Sequence, residues 1–350
     1  MQDIRVALGA RSYSILVASG LTDRLGEHLL FKGKKALITT PIINRLYGEK
    51  IGDSIGEHEL ILVPDGEEAK QWDMVEILLG KLMEAEFDRN STLIAFGGGS
   101  VGDLVGFVAA IYMRGIRIVQ IPTTFLAMVD SSIGGKTAVN HPLGKNLVGS
   151  FHQPIKVIVD PNLLRTLPDR EIKSGFAEVI KYGVISDPLL FELLESKSII
   201  DLSLEDMEEI IARCCTIKAQ YVEQDEEDCK GIRAALNYGH TLGHAIETIS
   251  QHNVNHGEGV AIGMVAAAMI SMKYNLINSS TYLRIVNLIE NYGLPTSIPS
   301  LSQDEVIEAM HRDKKVEEGH IRFVLPTGVG GAPVLRYVGD ETIKHILEEL

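Results

Sequence analysis

Imidazole side chains can hold a divalent metal, and residues 233–258, RAALNYGHTLGHAIETISQHNVNHGE, carry His240, His244 and His256. A helix turns about 100° per residue, so side chains four apart share a face. His240 and His244 have that spacing, and Asn237 extends the same polar stripe, joined by Arg233 if the helix starts early enough. Leu242, Ala245, Ile246 and Ile249 fall on the opposite face and read as core. His256 follows in a polar loop before the apolar run 260–270. Imidazoles suit zinc and neighbouring divalent ions, and a catalytic site takes about three protein ligands with one position open. Two histidines four apart supply two ligands at most, and such a pair is more often incidental than a site. The pattern is not HExxH, so the zinc-peptidase signature does not apply.

A second constellation can hold phosphate. Residues 97–102, GGGSVG, fit G-x-G-x-x-G between a strand-like and a helix-like run. Glycines there let backbone N–H groups approach a pyrophosphate at a helix N-terminus, although the same turn also arises for purely steric reasons. In the common dinucleotide fingerprint an acidic residue follows the loop by about 20 positions. Here Asp65, Gly66 and Glu67 precede it, at the end of an earlier strand. Asp65 or Glu67 can hold a ribose hydroxyl from there, or the segment is a plain turn with Glu67 and Glu68 opening a helix. Residues 121–146, IPTTFLAMVDSSIGGKTAVNHPLGKN, read as a second loop, whose Lys136 and Lys145 follow glycines and are candidate phosphate partners.

These groups need a scaffold. Strand-like runs at 13–18, 35–39, 60–63, 92–96, 116–121 and 157–159 alternate with helix-like stretches at 42–51, 72–85 and 103–110. That alternation implies an α/β fold with a Rossmann-like parallel sheet. After Pro168 the runs 170–194, 204–223, 237–250, 259–274 and 281–292 read as helices, with one strand at 321–325 and a last helix at 341–350. The expectation is an α/β domain over 1–168 and a mostly α-helical domain over 169–350. Ligands of parallel sheets bind at the carboxyl ends of the strands, so a helical domain packed there would close a cleft holding the active site. A chain of 350 residues can build both cores. The net charge of −14 argues against general nucleic-acid or anionic-membrane binding. It also means that an anionic substrate needs a local cluster of Lys and Arg. Cys214, Cys215 and Cys229 make no disulfide framework and read as thiols in a reducing cytosol. The N-terminal residues do not read as a signal peptide, and the apolar run 259–270 is too short to span a bilayer.

Seven pieces in one order, PDGEEAK, GGGSVGDLVGF, IPTTFLAMVDSSIGGKTAVN, GFAEVIKYG, LNYGHTLGHAIE, NHGE and DKKVEEGHIRFVLP, resemble the 3-dehydroquinate synthase family nearly end to end. The resemblance implies a metal, Zn²⁺ or Co²⁺, held by Glu178, His240 and His256; by itself Glu178 would pass as an ordinary helix glutamate. It implies NAD⁺ as a recycled cofactor on the first domain, touched by Asp65, Gly66, Glu67, Lys70, Gly99, Ser100, Val101, Gly102, Asp103, Thr123, Thr124, Lys136, Lys145, Leu163, Leu164, Arg165 and Thr166. The implied substrate is a seven-carbon keto-acid sugar phosphate with roughly three negative charges at pH 7. Asp130, Lys136, Lys181 and His244 take the implied catalytic positions. Lys218 and Arg233 match a grip on the carboxylate. Lys136, Asn146, Asn237, His244 and Lys314 or Lys315 match the surround of the phosphate, with Arg114 reaching in from the partner subunit of a homodimer.

The implied reaction is transient oxidation at C5, elimination of phosphate with the phosphate itself taking the proton, reduction, ring opening and intramolecular aldol closure, in the cytoplasm, on the shikimate route to chorismate. A metal- and NAD-dependent polyol dehydrogenase usually continues its GGGS loop with Asp-x-Ala-Lys and uses an aspartate as first ligand, whereas this loop continues VGDLVGF. Another sugar phosphate cyclase, of inosose or valiolone type, and a non-catalytic nucleotide-binding regulator are the other readings. One departure from the family pattern is DEEDCKGIR, with Cys229 and Lys230 where the family is usually acidic or polar, and it leaves the contacts there open.

Overall fold

Short apolar, β-branched runs bounded by turn residues become strands when both faces are covered. The computed structural model describes residues 1–251, 253–313, 316–317 and 320–350. Its strands are β1 (Gln2–Val6), β2 (Tyr13–Val17), β3 (Lys35–Thr39), β4 (Glu59–Leu62), β5 (Thr92–Gly97), β6 (Arg117–Pro122), β7 (Lys136–His141), β8 (Gly144–Phe151), β9 (Lys156–Val159), β10 (Val316–Glu317), β11 (His320–Leu325) and β12 (Val334–Gly339). The helices are α1 (Leu25–His28), α2 (Pro41–Ile55), α3 (Trp72–Glu84), α4 (Gly99–Ile111), α5 (Asp169–Ile185), α6 (Pro188–Ser196), α7 (Leu204–Gln224), α8 (His240–Ile249), α9 (His256–Lys273), α10 (Ser279–Asn291), α11 (Gln303–Asp313) and α12 (Asp340–Glu349). None is long and apolar enough to cross a membrane.

The chain forms two compact units, Met1–Pro168 with Leu204–Glu227, and Asp169–Ser203 with Asp228–Leu350. In the first, seven strands lie in the order β1-β2-β9-β6-β5-β3-β4. All pairings are parallel except β1 on β2. The six strands expected from the apolar runs are all present. β1 escaped notice because it is an edge strand whose residues, QDIRV, are mostly solvent-facing. The chain steps from β3 outward to β4 and returns on the other side of β3 for β5. Strand order reverses there, and the carboxyl ends of β3 and β5 flank the crevice where sheets of this kind take ligands. The glycine loop leaves β5 at that point.

Two readings of this unit are corrected. Residues 121–146 are not one loop, because β7 and β8 pair as an antiparallel hairpin with a register shift between Val139 and His141. Its glycines, asparagines and Pro142, poor strand formers by propensity, hid it. The helix α7, read with the helical half, clusters with the first unit. Ala7 N–H donates to Glu223 at 2.6 Å and Ser19 N–H to Glu208 at 2.7 Å, tying α7 to the ends of β1 and β2.

The second unit holds α5, α6 and α8–α12 with a small sheet, β10-β11-β12. The expected helix 170–194 is two, because Asp187 caps α6 through the Leu189 and Leu190 N–H groups and Pro188 sits at its first position. The expected helix over 237–250 begins only at His240. Gly239, with φ of +83°, breaks it from a preceding 3₁₀ turn, Ile232–Asn237. Asn237 and Arg233 therefore do not share a helical stripe with His240. α8 and α9 approach at backbone distance through their glycines: a Cβ on Gly243 would lie 2.8 Å from Gly259 C, and one on Gly263 would lie 1.8 Å from Gly239 O.

That contact has no room for a methyl group. Gly263→Ala should destabilise the protein by about 1–3 kcal/mol, the usual range for overpacking. Gly80→Ala, in α3 where a Cβ meets nothing within 4 Å, should leave stability unchanged or raise it by up to about 1 kcal/mol through helix propensity. Urea midpoints of the two variants check both; equal midpoints would refute the close-packing account.

Candidate active site

From its second turn to its end α5 is buried without a break, over residues 174–185, and Glu178, at 0% exposure, is a carboxylate within that stretch. α8 and α9 aim their first residues at it. Ligand atoms of Glu178, His240 and His256 lie within 4.8 Å of one another. The Nε2 atoms of His240 and His256 are each 3.4 Å from Glu178 Oε1. Lys181, one turn along α5, touches Oε2 and lies 4.6 Å from the centre of the Tyr182 ring. Neither carboxylate oxygen has a hydrogen bond of good geometry. Both histidines open a helix, and the partial positive charge of a helix N-terminus favours the anion they face.

The second ring nitrogens set the tautomers. His240 Nδ1 lies 3.1 Å from the Tyr238 carbonyl oxygen. A carbonyl only accepts, so Nδ1 donates and Nε2 keeps its lone pair toward Glu178. His256 Nδ1 lies 3.5 Å from Glu247 Oε2, the carboxylate–imidazole pairing common behind metal ligands. Burial pushes the Glu178 carboxyl up, but Lys181, His240 and His256 together outweigh it and hold it well below the usual carboxylate range. Burial also dominates at His240 and holds it well below its ordinary value, even against the pull of Glu178. At His256 burial is overcome by Glu178 and Glu247, which push it up to about 10. The buried anion is thus answered by Lys181 and the two imidazoles, and a divalent cation can bind the same ring nitrogens in their deprotonated form.

His256 does not lie in a loop, as its sequence context implied. Asn255 caps α9 in a capping box with Glu258, and His256 is the first helical residue. His244 faces the same centre, its ring 5.2 Å from that of His240 and 5.9 Å from that of His256. Glu247, Arg170 and Ser174 were not singled out from the sequence. Only the N-x-x-E spacing of Asn255 and Glu258 pointed this way.

In the first unit, Gly99, Ser100, Val101, Gly102 and Asp103 form the opening turns of α4, with Gly98 at its N-cap. The backbone N–H groups of such a turn lack helical partners and suit an anion. Asp65 and Gly66 lead into a 3₁₀ turn, Gly66–Lys70. Glu67 accepts hydrogen bonds from Ser100 Oγ at 3.2 Å and Asn140 Nδ2 at 2.7 Å. Lys70 is buried; it pairs with Asp103 Oδ2 at 2.6 Å and donates to Asn146 Oδ1. Burial pushes the Asp103 carboxyl up, against the pull of Lys70. Thr123 Oγ1 is buried without a partner, and Thr124 Oγ1 accepts from Ala127 N–H at 3.3 Å. Leu163 and Leu164 are buried, while Arg165 and Thr166 are exposed at the end of the turn Pro161–Thr166.

The expected substrate groups fall as follows. Lys218 lies 2.9 Å from Asp130 Oδ2 and donates to the Asp130 carbonyl at 2.7 Å. Lys136 on β7 and Lys145 and Asn146 on β8 are exposed. Arg114 is exposed with φ of +69°. Arg233 is buried in the second unit, which also holds Lys181, Asn237 and His244. Lys314 and Lys315 lie outside the described residues.

A family model described as 3-dehydroquinate synthase N-terminal matches residues 60–174, and one described as 3-dehydroquinate synthase C-terminal matches residues 175–316. The 3-dehydroquinate synthase of Pelobacter propionicus is 46% identical over 353 residues, covering 98% of each chain. Among solved structures, a 2-deoxy-scyllo-inosose synthase complexed with carbaglucose-6-phosphate, NAD⁺ and Co²⁺ aligns with a TM-score of 0.91 and 26% identity over 99% of each chain. The 2-epi-5-epi-valiolone synthase of Streptomyces hygroscopicus, with NAD⁺ and Zn²⁺ bound, aligns at 0.90 and 25% over 98% of each. Paired with a carboxylate and two imidazoles on one buried centre, these matches show that the chain belongs to the 3-dehydroquinate synthase family.

Proposed function

We propose that the chain is a metal- and NAD-dependent 3-dehydroquinate synthase, which converts 3-deoxy-D-arabino-heptulosonate 7-phosphate into 3-dehydroquinate and phosphate. The observation that carries this is the buried Glu178 carboxylate, ion-paired with Lys181 through Oε2 and flanked at Oε1 by two imidazole Nε2 atoms at 3.4 Å. A carboxylate and two imidazoles fit a divalent ion such as Zn²⁺ or Co²⁺ and leave a position open. When bound there, the ion supplies polarisation of the substrate hydroxyls. NAD⁺, when bound to the first unit, supplies a hydride acceptor that returns what it takes.

The remaining work belongs to the chain's own groups. The first turn of α4 holds the pyrophosphate through its N–H groups, and Asp65 or Glu67 holds a ribose hydroxyl. Lys181 keeps its proton at Nζ, stays cationic beside Glu178 and orients the substrate. Arg233 and Lys218 bind the substrate carboxylate, with Asp130 orienting the Lys218 ammonium. Lys136, Asn146, Asn237 and His244 bind the phosphate; His244 donates from a ring nitrogen. The departing phosphate takes the substrate proton, so the protein needs no strong base of its own. Its contribution is positioning and electrostatics. These cations answer the net charge of −14, which would otherwise repel a substrate with roughly three negative charges. A cytoplasmic homodimer, with Arg114 serving the partner subunit's site, completes the reading.

Incubation with the heptulosonate phosphate, NAD⁺ and Zn²⁺ or Co²⁺ tests it. Phosphate release should match dehydroquinate formation, with no net NADH. Stoichiometric NADH would point to a dehydrogenase instead, and turnover of a hexose phosphate but not the heptulosonate would point to another cyclase. His256→Ala should abolish both metal retention and turnover; full metal occupancy in that variant would refute the ligand set. Arg233→Lys keeps the charge and loses the planar fork. It should lower kcat/KM by about 1–3 kcal/mol in transition-state terms and leave the NAD⁺ dissociation constant unchanged. Wild-type kcat/KM, or an equal loss of NAD⁺ binding, would remove Arg233 from the carboxylate clamp.

A further inference from the structure

Arg170, Ser174 and Glu178 stand four residues apart along α5 and so share one face of it. They meet the first three residues of α9 in reverse order. Glu178 faces His256, with Oε1 and Nε2 3.4 Å apart. Ser174 faces Gly257, whose N–H donates to Ser174 Oγ at 3.1 Å. The backbones are so close here that a Cβ on Gly257 would lie 2.2 Å from Ser174 O. Arg170 faces Glu258, donating through Nε at 2.8 Å and Nη2 at 2.7 Å in a two-pronged pair. The same Nη2 donates to Asn253 O at 2.6 Å, in the segment that leads into α9. Glu258 also closes the capping box, accepting from Asn255 N–H at 2.9 Å while its own N–H donates to Asn255 Oδ1 at 2.9 Å.

We propose that Arg170 is a positioning residue for the metal centre, acting through Glu258 and the Asn253 carbonyl to fix the start of α9 and with it the His256 imidazole opposite Glu178. The inference rests on the metal-dependent reading of this centre. Its physical basis is leverage. His256 is the first residue of its helix, where chains fray unless a cap holds them. The guanidinium joins the cap residue's partner and the preceding segment to α5, the helix that carries the carboxylate ligand. Arg170 is 55% exposed, so the pair adds little to global stability. Its effect should appear where a shift of a few tenths of an ångström matters, in the distance between two metal ligands. Groups behind metal ligands commonly change affinity by about 10–100-fold when altered.

The test is metal binding by metal-free protein, measured with Co²⁺ and Zn²⁺ against a competing chelator, together with the visible absorption bands of bound Co²⁺, which report coordination geometry. Arg170→Gln should weaken Co²⁺ binding by about 10-fold or more and change the Co²⁺ bands. Arg170→Lys, which keeps charge and loses the fork, should fall between it and wild type. The control is Arg284→Gln, which breaks a pair of the same two-pronged form, Arg284 with Glu195 at 2.9 and 2.6 Å, in the same unit. It should leave metal affinity and spectrum unchanged. Wild-type affinity and bands in Arg170→Gln would overturn the proposal, as would an equal loss in Arg284→Gln. If Arg170→Gln does not fold, Arg170→Lys decides by the same readout. A wild-type protein that binds neither ion would overturn the metal reading itself, which this design separates because the unmodified chain is measured first.

Discussion

A carboxylate taken out of water without a partner costs several kcal/mol, and Glu178 is fully buried. Much of the second unit can be understood as the answer to that one group. Lys181 supplies a cation from the same helix, one turn on. His240 and His256 supply nitrogens from two others, each at a helix start where the local dipole also favours a negative charge. For both histidines to reach one carboxylate, α8 and α9 must lie closer than ordinary side chains allow. Glycines at 239, 243, 259 and 263 make that approach possible. The close helix packing and the chemistry of the centre are therefore one constraint.

The first unit solves a different problem with a related device. Its glycine loop brings the chain from β5 into α4 with no side chain at Gly97, Gly98 or Gly99, which leaves backbone N–H groups open at the point where strand order reverses. Around that opening the charged groups are mutually held. Lys70 joins Asp103 to Asn146, and Asp130 holds Lys218. In an acidic chain, pairing of this kind keeps cations oriented without leaving a buried charge uncompensated. Lys70 ties the end of the Gly66–Lys70 turn to α4 and to the β7–β8 hairpin, so three segments of this unit rest on one ammonium group.

Architecture alone does not choose the reaction. Two cyclases that make other carbocycles share this fold at TM-scores near 0.9 with only about a quarter of residues identical, as expected when function resides in sites placed on a common frame. What separates the family here is near-half identity along the whole chain.

The alternation of apolar runs and turn residues was enough to read the six parallel strands and the helical second half, because period and turn chemistry are local properties. The histidine cluster was visible from spacing, and the glycine loop from its pattern. Glu178 was not visible that way: a glutamate inside an amphipathic helix carries no sign that it will be buried, and only the family resemblance singled it out. Tertiary structure decided the rest. Pairing with β2 made a strand of the charged segment QDIRV, and pairing between Lys136–His141 and Gly144–Phe151 made the β7–β8 hairpin. α7 has an apolar face in any reading, but periodicity does not say which core will cover it, and it joined the first unit. Gly239 turned Asn237 off the histidine stripe, and the Asn255 cap drew His256 into α9. Strand pairing and the burial of α7 depend on contacts between separate segments of the chain, whereas sequence patterns report only which side of a segment avoids water; Gly239 and the Asn255 cap are local features that periodicity alone passes over.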